Sequence, residues 1–291
     1  MTDTPLENQP AGYVPAKIWA PKNNYGGTFG SINRPDSGAR FEQALPVGKH
    51  PLQLYSQGTP NGQKITILLE ELLEAGHEGA EYDAWLIDIF KGDQFGSGFV
   101  DINPNSKIPA LVDQTMDPVL RVFESGSIML YLAEKFGAFL PTDLRGRTEA
   151  MNWLMWQMGT APFVGGGLGH FYAYAPLKIE YSIDRYAMEV TRQLHVLDTH
   201  LARHEFLAGD DYTIADMAVW PWHPGSLYGV YNTHAFVAVE EYRHLLRWYK
   251  AIGERPAVKR GRVVNRLSDT PGEFLRERHD RRDFATLDEF R

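Results

Sequence analysis

The chain has 291 residues, which suggests two domains, and at 43% hydrophobic and 12% aromatic it is too apolar for global disorder. Its 29 Lys and Arg against 37 Asp and Glu leave a formal charge of −8, which argues against a nucleic-acid binder; an acidic ligand would need a local cluster of cations. The absence of cysteine removes disulfide scaffolds, thiolate zinc sites, iron–sulfur ligation and cysteine nucleophiles together.

The opening residues, "MTDTPLENQPAGYVPAK", lack the basic and apolar regions of a secretion signal. No apolar run approaches the roughly 20 residues that cross a bilayer, so a cytoplasmic protein without a membrane partner is expected. Residues 1 to about 50 are rich in Pro, Gly and Asn and read as an extended arm. Its aromatic residues Trp19, Tyr25 and Phe29 suggest that part of it packs on the body.

A short alternating segment at 52–55 then turns through Gly58 into a helix pattern. Thr59 suits the N-cap, Pro60 the first helical position, and Ile65, Leu68, Leu69, Leu72 and Leu73 form one apolar face ending at Gly76. Strands follow at 80–88, 108–113 and 120–125, the last two joined by a turn through Asp117-Pro118. Residues 124–137 read as a helix capped by Ser125, with Ile128, Met129, Leu132 and Phe136 inward and Gly137 as its stop. The order β-α-β-loop-β-β-α over 51–141 makes an α/β layer on a mixed sheet.

Strand signals largely vanish after "LPTDLRGR", and residues 146–266 read as an all-α domain. Met151, Leu154, Met155 and Met158 share a helix face, followed by a Gly-rich break at "APFVGGGLGH". A long helix is expected from about Pro176 to His204, on Ile179, Ile183, Tyr186, Val190, Leu194, Leu197 and Leu201. Thr213 and Asp216 stand in capping-box relation, and one more helix lies in "EYRHLLRWYKAIGERPAV". Residues 267–291 are highly charged and read as a tail.

This order of elements resembles the glutathione transferase fold, a thioredoxin-like domain joined to a helical one. "NPNSKIPAL" is similar to the loop carrying that family's cis-proline, here Pro109. "FESGSIMLYLAEKFG" is similar to its Glu-Ser signature, "FLAGDDYTIADMAVWPW" to its buried capping-box segment, and "ERPAVKRG" to its last shared element. Within the family, "GTPNGQKITILLEELL", "SINRP" and "GGGLGHFY" most resemble the nu class. The resemblance runs from about residue 15 to about residue 285.

Glutathione carries two carboxylates, an ammonium and a thiol, and a helix N-terminus favours anions, a thiolate included. Two such ends occur, at Thr59 and at Ser125. The resemblance implies that Ser125 and nearby N–H groups hold the γ-glutamyl carboxylate, with Glu124 near the ammonium. It implies that Ile108, before the cis-proline, pairs with the cysteinyl main chain. Lys107 would meet the glycyl carboxylate, and Gln94 is a further polar contact. A threonine hydroxyl has far too high a pKa to act as a nucleophile unaided, and no base sits in the turn. It serves better as a hydrogen-bond donor to the ligand's sulfur, so the reactive sulfur arrives with the ligand. The family also uses Asn33 of the arm and Asn61 of the turn around the thiols. The nu class accommodates two glutathiones per subunit, which suits disulfide exchange, and Arg185 looks like a contact to the second. By the same resemblance, Met158 stands where the family has a glutamine near that second site, beside Gln157.

The expectation is therefore a homodimeric glutathione-dependent disulfide reductase with weak peroxidase activity. Thr59 and Asn33 would be the catalytic residues, glutathione the co-substrate, and small disulfides or peroxides the substrates, with no metal. Conjugation to electrophiles is an alternative that would put Tyr or Ser at the turn. A non-catalytic glutathione-binding regulator is another, but its fungal examples carry an Asn/Gln-rich segment that residues 1–50 are not. Plainer readings also stand beside these. Thr59-Pro60 and Ser125 are sound caps in any protein, and Pro109 could be an ordinary trans-proline. Gly165 to Gly169 lack the preceding strand of a dinucleotide loop. His200 and His204, one turn apart, show no third metal ligand. Arg185 could simply join surface ion pairs.

Overall fold

The structure is a computed structural model that describes residue 14 and residues 16–21, 29–30, 32–268 and 270–290; Tyr25 lies outside them. Strand β1 (Leu52–Ser56) leads through Thr59 into α1 (Pro60–Glu74), then β2 (Tyr82–Leu86), α2 (Ser97–Ile102), β3 (Ala110–Asp113), β4 (Leu120–Phe123) and α3 (Ser125–Phe136). The sheet order is β2-β1-β3-β4, with β1 parallel to β2 and both β1–β3 and β3–β4 antiparallel. Central β1 is buried along its whole length, so the turn at its end is set by a rigid strand. Ile65, Leu68, Leu69 and Leu72 of α1 are fully buried against this sheet.

Ser125 is the first helical residue of α3, and Glu124 is the N-cap, at φ 68° and ψ 124°. The expected cap is thus displaced by one residue. A non-glycine in that region stores roughly 1–3 kcal/mol, a cost that tends to persist where a site needs it.

The helical layer comprises α4 (Leu144–Pro162), α5 (Glu180–Leu201), α6 (Ile214–Val219), α7 (Gly225–Tyr228), α8 (Arg243–Gly253) and α9 (Pro256–Gly261). Leu154 of α4 is buried while Met155 is 53% exposed, so Met155 does not share the inward face. The expected Gly-rich break is instead a π-helical segment, Phe163–Tyr174, continuous with α4. Pro162 supplies no N–H and crowds the carbonyl a turn earlier, and the chain responds by widening rather than stopping. The glycines serve close approach: a Cβ on Gly167 would lie 2.3 Å from the Tyr186 ring, and one on Gly169 would lie 2.6 Å from Tyr231. Helix α5 begins later than expected, with Ile179 as its N-cap. The capping box at α6 is complete, and buried Asp216 also accepts hydrogen bonds from Leu207 N at 2.9 Å and Trp248 Nε1 at 2.8 Å.

The charged C-terminal segment does not hang free as a tail. Arg278 pairs antiparallel with Ala84 beside β2 and is fully buried. Its guanidinium meets Glu81 at 2.7 Å and Glu70 at 3.3 Å and lies 4.1 Å from the Tyr82 ring centroid. Leu275, Phe284 and Leu287 join the core. The described arm also packs. Phe41 bridges Gly96, and Arg34 stacks on the Phe95 ring with its Cζ at 3.3 Å from the centroid.

Candidate active site

The turn between β1 and α1 is held by several independent bonds. Thr59 N donates to Gln57 O at 2.6 Å, Gly58 N to Asn265 O at 2.6 Å, and Arg266 Nη1 to Gly58 O at 3.0 Å. Thr59 caps α1, yet its Oγ1 accepts from Gly62 N only at 3.5 Å. A bond that long is weak, and it uses only a lone pair of the oxygen, so the O–H can donate outward. Asn61 Oδ1 accepts from the Trp222 indole at 2.9 Å. An indole N–H only donates, which fixes the carboxamide orientation and leaves Nδ2 as a donor.

Thr59, Pro60 and Asn61 open onto a cavity of about 1060 Å³. Asn33 of the arm lines it too, so four residues proposed from sequence meet there. Its walls are aromatic. Phe29 stacks on Phe90 at 5.6 Å and meets Tyr174 edge-on at 4.9 Å, and Phe171, Trp222 and Tyr231 line the helical side. Arg262, Arg266 and Phe274 close the side built by the C-terminal segment.

The residues proposed around the second helix end, Ser125, Glu124, Ile108, Lys107 and Gln94, do not line this cavity, nor does Arg185. Ile108–Pro109 is cis, and Asn105 Nδ2 donates to Glu124 Oε1 at 3.2 Å. Ser125 is buried, and its Oγ accepts from Lys64 Nζ at 3.3 Å. The Gln94 side chain is buried, donating to Ile89 O at 3.3 Å while its Oε1 has no partner. Lys107 and Arg185 are exposed.

Lys64 was missed from sequence. Only 1% exposed, it also donates to Gln157 Oε1 at 2.5 Å and lies 6.0 Å from the Trp222 ring. Burial holds its amine well below the ordinary lysine range, against the opposing pull of Glu124. Nearby His223 is pushed down to about 3, chiefly by burial and then by Lys64, and bonds Gln193 Oε1 at 2.8 Å. The available signal was position: Lys64 is one turn before Leu68, on the inward side of α1. Gln157, the neighbour of Met158, is fully buried as the partner of Lys64, while Met158 Sδ lies 3.9 Å from Ser125 Oγ. His200 and His204 stack at 4.4 Å, and His200 Nε2 bonds Leu207 O at 3.0 Å.

A mixed four-stranded layer with a capped turn at its centre, a cis-proline before β3 and a helical layer behind defines the glutathione-transferase class. The glutathione S-transferase N-terminal domain family matches residues 50–134 and the C-terminal domain family residues 171–256. The chain belongs to the glutathione S-transferase family. It is 64% identical over 275 residues to the disulfide-bond oxidoreductase YghU of Escherichia coli strain K12, covering 94% of this chain and 96% of that one. Among solved structures it is similar to the glutathione transferase YghU from Streptococcus pneumoniae, complexed with glutathione. That match has a TM-score of 0.85 at 53% identity, over 88% of this chain and 99% of the other. A glutathione transferase from Burkholderia graminis, with two glutathione molecules bound per subunit, matches with a TM-score of 0.68 at 40% identity, over 73% and 88%.

Proposed function

We propose that this protein is a nu-class, glutathione-dependent disulfide-bond reductase that uses two glutathione molecules per subunit, with weak peroxidase activity. The observation that carries this reading is the turn itself. In a chain without cysteine, a weakly engaged Thr59 hydroxyl at a helix N-terminus faces a cavity at the upper end of ligand-pocket size. Such a site can stabilise a thiolate but cannot supply one. The relatives described above, one named an oxidoreductase and another holding two glutathiones, support the assignment.

The first glutathione lies along Ser125, Glu124, Ile108, Lys107 and Gln94, with its sulfur at Thr59, Asn61 and Asn33. Its thiolate attacks one sulfur of the substrate disulfide, forming a mixed disulfide and expelling a thiolate that takes up a proton. The second glutathione, held by Arg185, attacks the glutathionyl sulfur and releases the other substrate thiol. The two glutathiones lose two electrons to the substrate and leave as glutathione disulfide. The working unit is a cytoplasmic homodimer. The described residues contain no helix long and apolar enough to span a membrane. Turnover of bis(2-hydroxyethyl) disulfide with glutathione tests the reading, and a rate equal to the uncatalysed background refutes it.

A further inference from the structure

We propose that the cavity beyond Thr59 selects disulfides whose departing half carries a carboxylate, with Arg262 as the group that binds it. This rests on the reductase reading and names its substrate class.

The first observation is a reversal of charge. The chain carries −8, yet the described residues lining the cavity include no Asp or Glu and two arginines, Arg262 and Arg266. Within an acidic protein, such a lining attracts anions and repels nothing they carry.

The second observation is how the two cations are held. Arg266 is fixed: it donates to Gly58 O at 3.0 Å, and its Cζ lies 4.9 Å from the Phe274 ring centroid. A Cβ on Gly58 would fall 2.3 Å from Arg266 Cδ, so the glycine lets the arginine stem lie against the turn. One permanent positive charge therefore sits beside the residue preceding Thr59. Arg262, just past α9, is exposed, and among the described residues its guanidinium has no hydrogen bond or close ion pair; the charge of Glu254 acts on it, but Glu254 is itself paired with Lys259 at 2.7 Å. Its neighbours differ. Arg255 pairs with Glu71 at 2.6 Å and Arg260 with Glu70 at 2.9 Å, both using glutamates of α1. Arg262 alone of these three lines the cavity. The guanidinium fork matches a carboxylate in two-bond geometry. The wall formed by Phe29, Phe90, Phe171 and Tyr174 suits the organic body behind the charge.

The test measures kcat/KM at saturating glutathione, after subtraction of the uncatalysed rate, for three symmetric disulfides. They are bis(2-hydroxyethyl) disulfide, 3,3′-dithiodipropionate and cystamine, which are neutral, anionic and cationic. The expected order places the dianion roughly tenfold above the neutral compound, the scale of one charge-assisted hydrogen bond. Arg262→Gln brings that ratio toward one, and Arg262→Glu inverts the order of the dianion and cystamine. The inversion is a gain that general damage to the fold cannot produce. Equal kcat/KM for anionic and neutral disulfides in the wild-type protein overturns the inference, as does a ratio that both variants leave unchanged. The latter includes the case where only the KM for glutathione rises. If the wild-type protein turns over none of the three disulfides, the reductase reading fails with it.

Discussion

Replacing Lys64 with methionine removes a buried amine while keeping its length and much of its volume. The change strips Gln157 Oε1 of its 2.5 Å donor and Ser125 Oγ of its 3.3 Å donor. Gln157 is fully buried, so its orphaned oxygen costs roughly 1–3 kcal/mol. Against this, methionine relieves the burden of keeping an amine out of water. Burial depresses the amine's pKa in the folded protein. Between that depressed value and the ordinary 10.5, the unfolded chain therefore binds the extra proton. Wild-type stability then rises with pH through this window, by at most about 1.4 kcal/mol per pH unit, and levels off above it. The variant lacks this contribution. The 14 tyrosines titrate in both proteins and cancel in the difference. Urea unfolding of the pair between pH 7 and 10 should show the wild-type protein gaining on the variant at each step. A difference that stays flat across that range would show that Lys64 remains charged when folded, and would refute the reasoning.

Three further outcomes are expected. Thr59→Ala should lower kcat/KM by roughly tenfold or more while costing less than about 1 kcal/mol in denaturant unfolding, because its capping bond is long; equal free-energy losses in both would return Thr59 to a simple cap. Asp216→Ala strands the N–H donors of Leu207, Thr213 and Trp248 in the core and should destabilise the protein by about 4 kcal/mol, read from chemical unfolding. Arg278→Met leaves Glu81 without its partner, while Glu70 keeps Arg260. A loss of about 3 kcal/mol and faster proteolysis beyond Leu267 should follow; unchanged protease resistance would mean that Leu275, Phe284 and Leu287 anchor the segment without it.

Thr59-Pro60 at the head of α1, the inward face Ile65–Leu72 and the Thr213–Asp216 box were legible in the sequence. Caps and helical periodicity are relations between residues a turn apart, so the sequence states them directly. That the site would have to borrow its sulfur was equally plain from a chain with no cysteine. Tertiary structure alone decided which charges are buried. Arg278, in a segment that reads as solvated, finds Glu81 197 positions upstream, and Lys64, among helix residues of ordinary polarity, finds Gln157 93 positions downstream. The cationic wall of the cavity has the same origin, since Arg266 reaches the turn only because the chain doubles back over Gly58. A charge is tolerated or expelled according to its neighbours in space, and those neighbours are fixed only when distant segments close on one another.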